Sequence, residues 1–472
     1  MIKRFFIFIL FLVVPMGSYA QSRRVNPAGP AVAAVAGDLT VKQMFDEANA
    51  YNRNKFAEFE QKKIAYSERL RLQTELEQRQ LAAKYATSAS TRTNLTAEDI
   101  YYVGLLHWIA ENLDGTTDAL KKYLASTEQK PERMQNARSI LVYVLAKKRN
   151  FDEAIKYLDE YEGGGTTKMS DRWRMNSELA KSYMATNEYS KAAAHANKSY
   201  EASKALIQDQ TSKVNPADAV LDAGMLLFEA HREAGSMKDA DAALEDMKKT
   251  ASAINSPTFF YYAADKLITY QIETGRKTLG METYLSSLIQ AGKDFAAKGT
   301  QNEALQRLKK RERQYKLLAS PAPELIGIEQ WFPGSPKTIA SLKGKVVLLD
   351  FWATWCGPCF DAFPALAEWH QDFARDGLVI IGLTRYYGRA EGFPVDHPNE
   401  IAFLKRFKQK YNLEYDFAVA DDQQTQLLYA ATALPTAVLI DRKGVIRYIE
   451  SGTNPSRIEE LRAMVVKLLN EK

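Results

Sequence analysis

The apolar run Val346-Val347-Leu348-Leu349-Asp350-Phe351-Trp352-Ala353-Thr354-Trp355 leads directly into Cys356-Gly357-Pro358-Cys359, which holds the only two cysteines of a 472-residue chain. A strand that gives way to a helix at a cysteine pair leaves few folds open. The helix N-terminus presents unpaired N–H groups and a positive dipole end, so the thiolate of Cys356 is favoured over the thiol. A stabilised, partly exposed thiolate attacks disulfides. Cys359, one turn further in, is placed to attack the resulting mixed disulfide and release the partner.

Other uses of the pair have less support. Zinc needs about four ligands, and no second cysteine pair exists; His107, His195, His231, His370 and His397 are scattered without ligand-like spacing. A Cu(I) thiolate site would need further soft ligands, and the methionines are not clustered near 350–440. A structural disulfide across so short a loop would restrain the unfolded chain only weakly. No metal is expected, and no cofactor beyond the redox-active pair itself.

The N-terminus reads as a secretory signal peptide over 1–20: Lys3 and Arg4, an apolar stretch from Phe5 to Val14, then small residues at Ser18 and Ala20. The apolar stretch is short for a bilayer span, so cleavage after Ala20 is preferred over an uncleaved membrane anchor. No cysteine follows it to carry a lipid. Residues 21–38, rich in Ala, Pro and Gly, read as a flexible leader. Export to the periplasm puts the pair where disulfides form. The formal charge of +5 is small for this length, and no basic block or aromatic ladder points to nucleic acid.

From 39 to 318 the periodicity is almost wholly helical, and Pro216 after Asn215 fits an N1 proline behind an N-cap. A turn followed by a small residue recurs, with Ala119, Ala154, Ala192 and Ala240 at intervals of 35, 38 and 48 residues. The last interval implies an insertion around Asp209 to Pro216. Residues 95–275 thus resemble degenerate tetratricopeptide repeats, whose stacked helix pairs bury a core that no single pair could bury; a generic helical bundle is the alternative. Aromatics such as Tyr101, Tyr102, Trp108, Trp173, Phe259 and Phe260 read as core of these helices. The charged helix containing Lys309-Lys310-Arg311-Glu312-Arg313 reads as a solvated connector, and Ala319-Ser320-Pro321-Ala322-Pro323 breaks it.

Beyond that break, strands near 345–352, 378–384, 416–420, 436–441 and 445–450 alternate with helices near 358–374, 398–411, 423–430 and 456–469, an α/β pattern. The chain as a whole therefore reads as multidomain: an all-α repeat array, then an α/β domain over 321–472. Phe351-Trp352-Ala353-Thr354-Trp355-Cys356-Gly357-Pro358-Cys359 with Leu434-Pro435-Thr436 resembles the thioredoxin fold. Ala322-Pro323-Glu324-Leu325 through Leu342-Lys343-Gly344-Lys345 resembles its exported TlpA/ResA-type branch, whose extra helix and strand fit 398–420.

The resemblance implies roles. Pro435 matches the cis-proline facing the cysteines. Leu434 would offer backbone groups to an extended substrate, and Trp355, Gly357 and Pro358 would complete that surface. Pro364 would kink the active-site helix. Asp350, six residues before Cys356, matches the aspartate that takes the proton of the second cysteine; a carboxyl near the end of an apolar strand should have a raised pKa. A strand-end aspartate facing solvent is the alternative. One departure stands out: the glutamate that ResA-type proteins place three residues after the second cysteine is Ala362 here, with Asp361 rotated by about 100° on the helix. The departure weakens the transfer of cytochrome c maturation, the usual job of ResA-type members, to this chain. The loop Thr384-Arg385-Tyr386-Tyr387-Gly388-Arg389 should lie at the same sheet end as the cysteines.

The expected function is that of an exported thiol-disulfide oxidoreductase. It would reduce disulfides of envelope proteins, draw electrons from a membrane or periplasmic thiol donor, and use the helical repeats to bind a client or partner. The alternative is a repeat-based binding or scaffold protein whose thioredoxin-like domain is mainly an interaction module.

Overall fold

The structure, a computed structural model, describes residues 39–209, 212 and 214–471. The expected signal peptide and leader lie outside the described residues. No helix among the described residues is long and apolar enough to cross a membrane. The chain forms two compact units that divide between Met247 and Lys248.

Among the described residues the first unit is helical: α1 (Val41–Gln61), α2 (Glu68–Ser90), α3 (Ala97–Ile109), α4 (Leu113–Leu124), α5 (Pro131–Lys147), α6 (Phe151–Glu162), α7 (Met169–Ala185), α8 (Tyr189–Ala205), α9 (Pro216–Glu233) and the first part of α10 (Met237–Ala253). The first helix of each later pair ends in the same way. Glu111, Arg149, Asn187 and Gly235 have φ of 57°, 59°, 61° and 74°, and each lies two residues before the next helix. The following amide reaches back five residues, as from Asn112 to the His107 carbonyl and from Glu188 to that of Tyr183. This left-handed closure consumes orphan carbonyls at the helix end. Asn215 caps α9 with Pro216 at N1, as its sequence predicts.

The fourth residue of each second helix is Thr116, Ala154, Ala192 or Ala240, all fully buried. The repeat register thus runs through Thr116 and not through Ala119, which is half-buried, and the intervals are 38, 38 and 48. Thr116 escapes notice because its hydroxyl folds back onto the Asn112 carbonyl, 2.8 Å away, leaving a side chain small enough for the position. The long last interval is only partly an insertion before Pro216. Much of it is α8 itself, with 17 residues against 12 in α6. Gly104 serves close packing as well: a Cβ there would come within 2.5 Å of Leu120 Cδ2.

The second unit opens with the rest of α10, followed by α11 (Pro257–Glu273), α12 (Lys277–Asp294) and α13 (Lys298–Leu317). Then follow β1 (Ile328–Phe332), β2 (Val346–Phe351), α14 (Gly357–Phe373), β3 (Leu378–Arg385), the short pair β4 (Arg389–Ala390) and β5 (Phe393–Pro394), α15 (His397–Lys410), β6 (Asp416–Ala420), α16 (Gln424–Leu428), β7 (Thr436–Ile440), β8 (Ile446–Ser451) and α17 (Pro455–Asn470). The main sheet has the order β1-β6-β3-β2-β7-β8, with β2, β3 and β6 parallel and the others antiparallel to their neighbours. Strand β2, buried along its length, lies inside this sheet, as its apolar run requires. The turn at 441–444 is held by the Asp441 carboxylate, which accepts from the amides of Lys443 and Val445, with Gly444 at φ 83°.

Strand β1 has no counterpart among the predicted strands, because Glu329, Gln330 and the flanking Pro333 mask its alternation. As an edge strand it has to satisfy only β6. Helix α13 is not a free connector. Arg311 and Gln314 are buried, and the chain after it adds backbone bonds to the other sheet edge: Ala319 donates to Ile446 O (2.8 Å), Ile446 to Ser320 O (3.0 Å) and Ala322 to Gly444 O (2.9 Å). The start of the β8 edge is thereby covered, which shortens a surface open to stray pairing.

Candidate active site

Strand β2 delivers the chain to the sheet end where α14 begins. Cys356 is the N-cap residue of that helix, with no side-chain capping bond, and is joined to Cys359 by a disulfide. Cys359 is fully buried and Cys356 is 5 % exposed, whereas Trp355 is 62 % exposed. Gly357 and Pro358 are exposed as well. Pro364 lies inside the helix. The peptide Leu434–Pro435 is cis, with Pro435 buried and Leu434 half-buried. Because Thr436 pairs with Phe351, this bend lies at the same end of the sheet as the cysteines.

One short segment after β8 holds both parts of the site. Gly452 N–H donates to the Pro435 carbonyl (2.8 Å), and the Thr453 hydroxyl donates to the Pro358 carbonyl in the first turn of α14 (2.9 Å). Thr436 and Ser451 share a hydroxyl contact of 2.8 Å, and Gln314 of α13 reaches Ser451 Oγ and the Ala430 carbonyl.

Asp350 pairs with Gly382 on one side and Ala437 on the other and is 3 % exposed. It does not face solvent. Burial pushes its carboxyl up to about 7, and its Oδ2 has no hydrogen-bond partner. It borders a cavity of about 30 Å³ beneath α14, walled by Ala362, Ala365, Leu366, Pro435 and Glu450 among others. Ala362 thus lines the same space as the acid with a methyl group, while Asp361 is exposed. Gly382 beside it allows close packing: a Cβ there would lie 3.0 Å from the Phe417 ring and 3.1 Å from Trp352 Nε1, so those rings would have to give by a few tenths of an ångström.

The loop after β3 meets the exposed tryptophan. The rings of Trp355 and Tyr387 are edge-on at 5.4 Å, and the Arg385 guanidinium lies 4.4 Å from the Tyr387 ring centre. Glu400, buried in α15, fixes the loop by accepting from the amides of Tyr387 and Gly388, both at 2.9 Å. Sequence reasoning found the loop but missed Glu400, Thr453 and Glu450. Their spacing from the cysteines carries no motif, and only the alternation of β8 hinted that Glu450 sits at a strand end. Chemically, the arrangement offers a dithiol or disulfide at a helix N-terminus, an aromatic rim, and a buried carboxyl able to hold a proton near neutrality.

Residues 321–449 match the AhpC/TSA family. Protein DipZ of Mycobacterium bovis is 33% identical over 159 residues, which cover 32% of this chain and 21% of that protein. The thiol-disulfide oxidoreductase ResA of Bacillus thuringiensis subsp. konkukian is 30% identical over 128 residues, covering 27% of this chain and 67% of that protein. Among solved structures, a thiol:disulfide interchange protein DsbE from Chlorobium tepidum shares 26% identity, covers 32% of this chain and 98% of its own, and has a TM-score of 0.28.

Proposed function

Through its C-terminal domain the chain belongs to the thioredoxin-like thiol-disulfide oxidoreductases of the ResA type, and from that premise we propose that it is an exported oxidoreductase that reduces disulfides of envelope proteins. The observation that carries the reading is the Cys356–Cys359 pair at the start of α14 above the buried Asp350. In the reduced protein the Cys356 thiolate attacks a client disulfide, forming a mixed disulfide and expelling one client thiolate. Cys359 then loses its proton to Asp350 and attacks Cys356. The Cys356–Cys359 bond forms, the second client thiolate leaves, and two electrons have passed to the client.

Trp355, Gly357, Pro358, Leu434 and Pro435 form the surface on which an extended client segment lies. No cofactor beyond the pair is needed. The periplasm is the working compartment, a membrane or periplasmic thiol donor restores the dithiol, and the helical repeats hold a client or partner.

A mixed-disulfide trap tests this. The full-length Cys359→Ser protein, expressed with its leader, should accumulate reductant-sensitive adducts on Cys356 with envelope proteins. Adduct levels no higher than those of the Cys356→Ser/Cys359→Ser control would sink the reading. The reduction potential fixes the direction: about −270 mV makes the protein a reductant, and about −120 mV an oxidant of folding proteins.

A further inference from the structure

Two carboxyl groups share the cavity under α14. Asp350 is sealed at 3 % exposure, while the Glu450 side chain retains 22%. At about 30 Å³ the space has room for about one or two water molecules, and Asp350, whose Oδ2 lacks a protein partner, is among the residues lining it. The cavity therefore runs from a buried acid to a partly wetted one. Glu450 is held from two sides, by Arg311 of α13 on Oε2 (3.2 Å) and Arg457 of α17 on Oε1 (3.3 Å). Arg311 is itself fixed, its Nε–H donating to Asp265 of α11 (3.0 Å) and its Nη1–H to the Ile449 carbonyl (3.1 Å).

We propose that Glu450 relays to solvent the proton that Asp350 takes from Cys359, and that Arg311, a positioning residue contributed by the helix before the redox domain, holds the relay in place. The inference rests on the oxidoreductase reading above and adds an exit for its proton. When Cys359 attacks Cys356, one proton moves to the Asp350 carboxylate. The transfer completes only as that proton passes on across cavity water to the Glu450 carboxylate and to bulk water, so the attack of Cys359 waits on the exit and both carboxylates are restored. No electron moves in the relay.

The charged surroundings suit a transient carrier. Burial raises the Glu450 carboxyl while Arg311 and then Arg457 oppose that rise; Asp265 from α11 and Glu460 from α17 add to it. Tyr261 and Tyr448 also face Glu450, and Tyr415 faces Asp350.

The test uses the reduced full-length protein and dithiobis(2-nitrobenzoate), which releases one coloured thiolate when Cys356 attacks and a second when Cys359 resolves. In Glu450→Gln the first release should match wild type within about twofold, while the second slows about tenfold at neutral pH. Added imidazole should restore the second release by carrying the proton, and Glu450→Asp should recover most of the rate. Arg311→Met should slow the same step with the same imidazole rescue. An unchanged second phase and pH profile in Glu450→Gln, or a slow phase indifferent to imidazole, overturns the relay. Absence of a second release in wild type would instead overturn the oxidoreductase reading itself.

Discussion

Thr453 and Pro358, 95 residues apart in sequence, are joined by a hydrogen bond of 2.9 Å from the hydroxyl to the carbonyl. The same short segment donates the Gly452 amide to Pro435, so one turn of chain fixes the helix that carries the cysteines and the bend that faces them. Thr453→Val keeps the shape and removes the donor. It should cost about 1 kcal/mol in chemical denaturation and loosen the first turn of α14, visible as faster amide exchange there. Unchanged exchange at residues 357–361 would show that the hydroxyl holds nothing.

Asp350 should make stability fall as pH rises. Its folded pKa of about 7 lies above the ordinary 3.8, so between those values the folded state binds more protons than the unfolded one. The stability present below about pH 4 is lost progressively up to about pH 7. A rise of that size corresponds to about 4 kcal/mol. Asp350→Asn should flatten the slope, stabilise the protein at pH 8 by a few kcal/mol, and slow the second thiolate release. Parallel denaturation curves at pH 5 and pH 8 for both proteins check the sign.

Glu400 should set the shape of the substrate rim. Glu400→Ala leaves the amides of Tyr387 and Gly388 without their acceptor, a loss of about 2 kcal/mol. Tyr387 should then part from Trp355, changing the tryptophan emission of the exposed ring and raising KM for a protein disulfide more than it lowers kcat. Equal effects on both parameters would argue that the rim does not bind substrate.

Gly104→Ala tests the packing of the first repeat pair. Alanine gains about 1 kcal/mol of helix propensity, yet its Cβ would approach Leu120, a fully buried side chain, to 2.5 Å. Overpacking of a closed core costs about 1–3 kcal/mol, so the variant should be less stable by up to about 2 kcal/mol. A more stable variant would mean that α4 moves aside without cost.

The redox end of the chain was legible because its chemistry is local. The cysteines, Asp350 and Pro435 stand in short runs whose strand-to-helix pattern identifies them. The helical part was harder to read. Glycine marks a left-handed turn in sequence, but of the repeat turns in the first unit only Gly235 is a glycine; Glu111, Arg149 and Asn187 take the same conformation and leave no trace of it. The alignment through Ala119 follows from that. The run Lys309 to Arg313 is uniformly charged and so reads as surface, which hides the burial of Arg311. Its burial depends on Asp265 and Glu450, 46 and 139 positions away, and no local pattern encodes such partners.

The covering of the start of the β8 edge by residues 319–322 bears on how this oxidoreductase can be transplanted. A fragment cut at the proline-rich break would keep both cysteines and the acid, yet it would carry a bare strand edge and strand Glu450 beside a single arginine. The catalytic fold is therefore not a portable cassette that begins where strands begin. A chimera or fusion that borrows it should begin at the helical segment from Lys248 onward, so that the last three helices before the sheet travel with it as part of the same body.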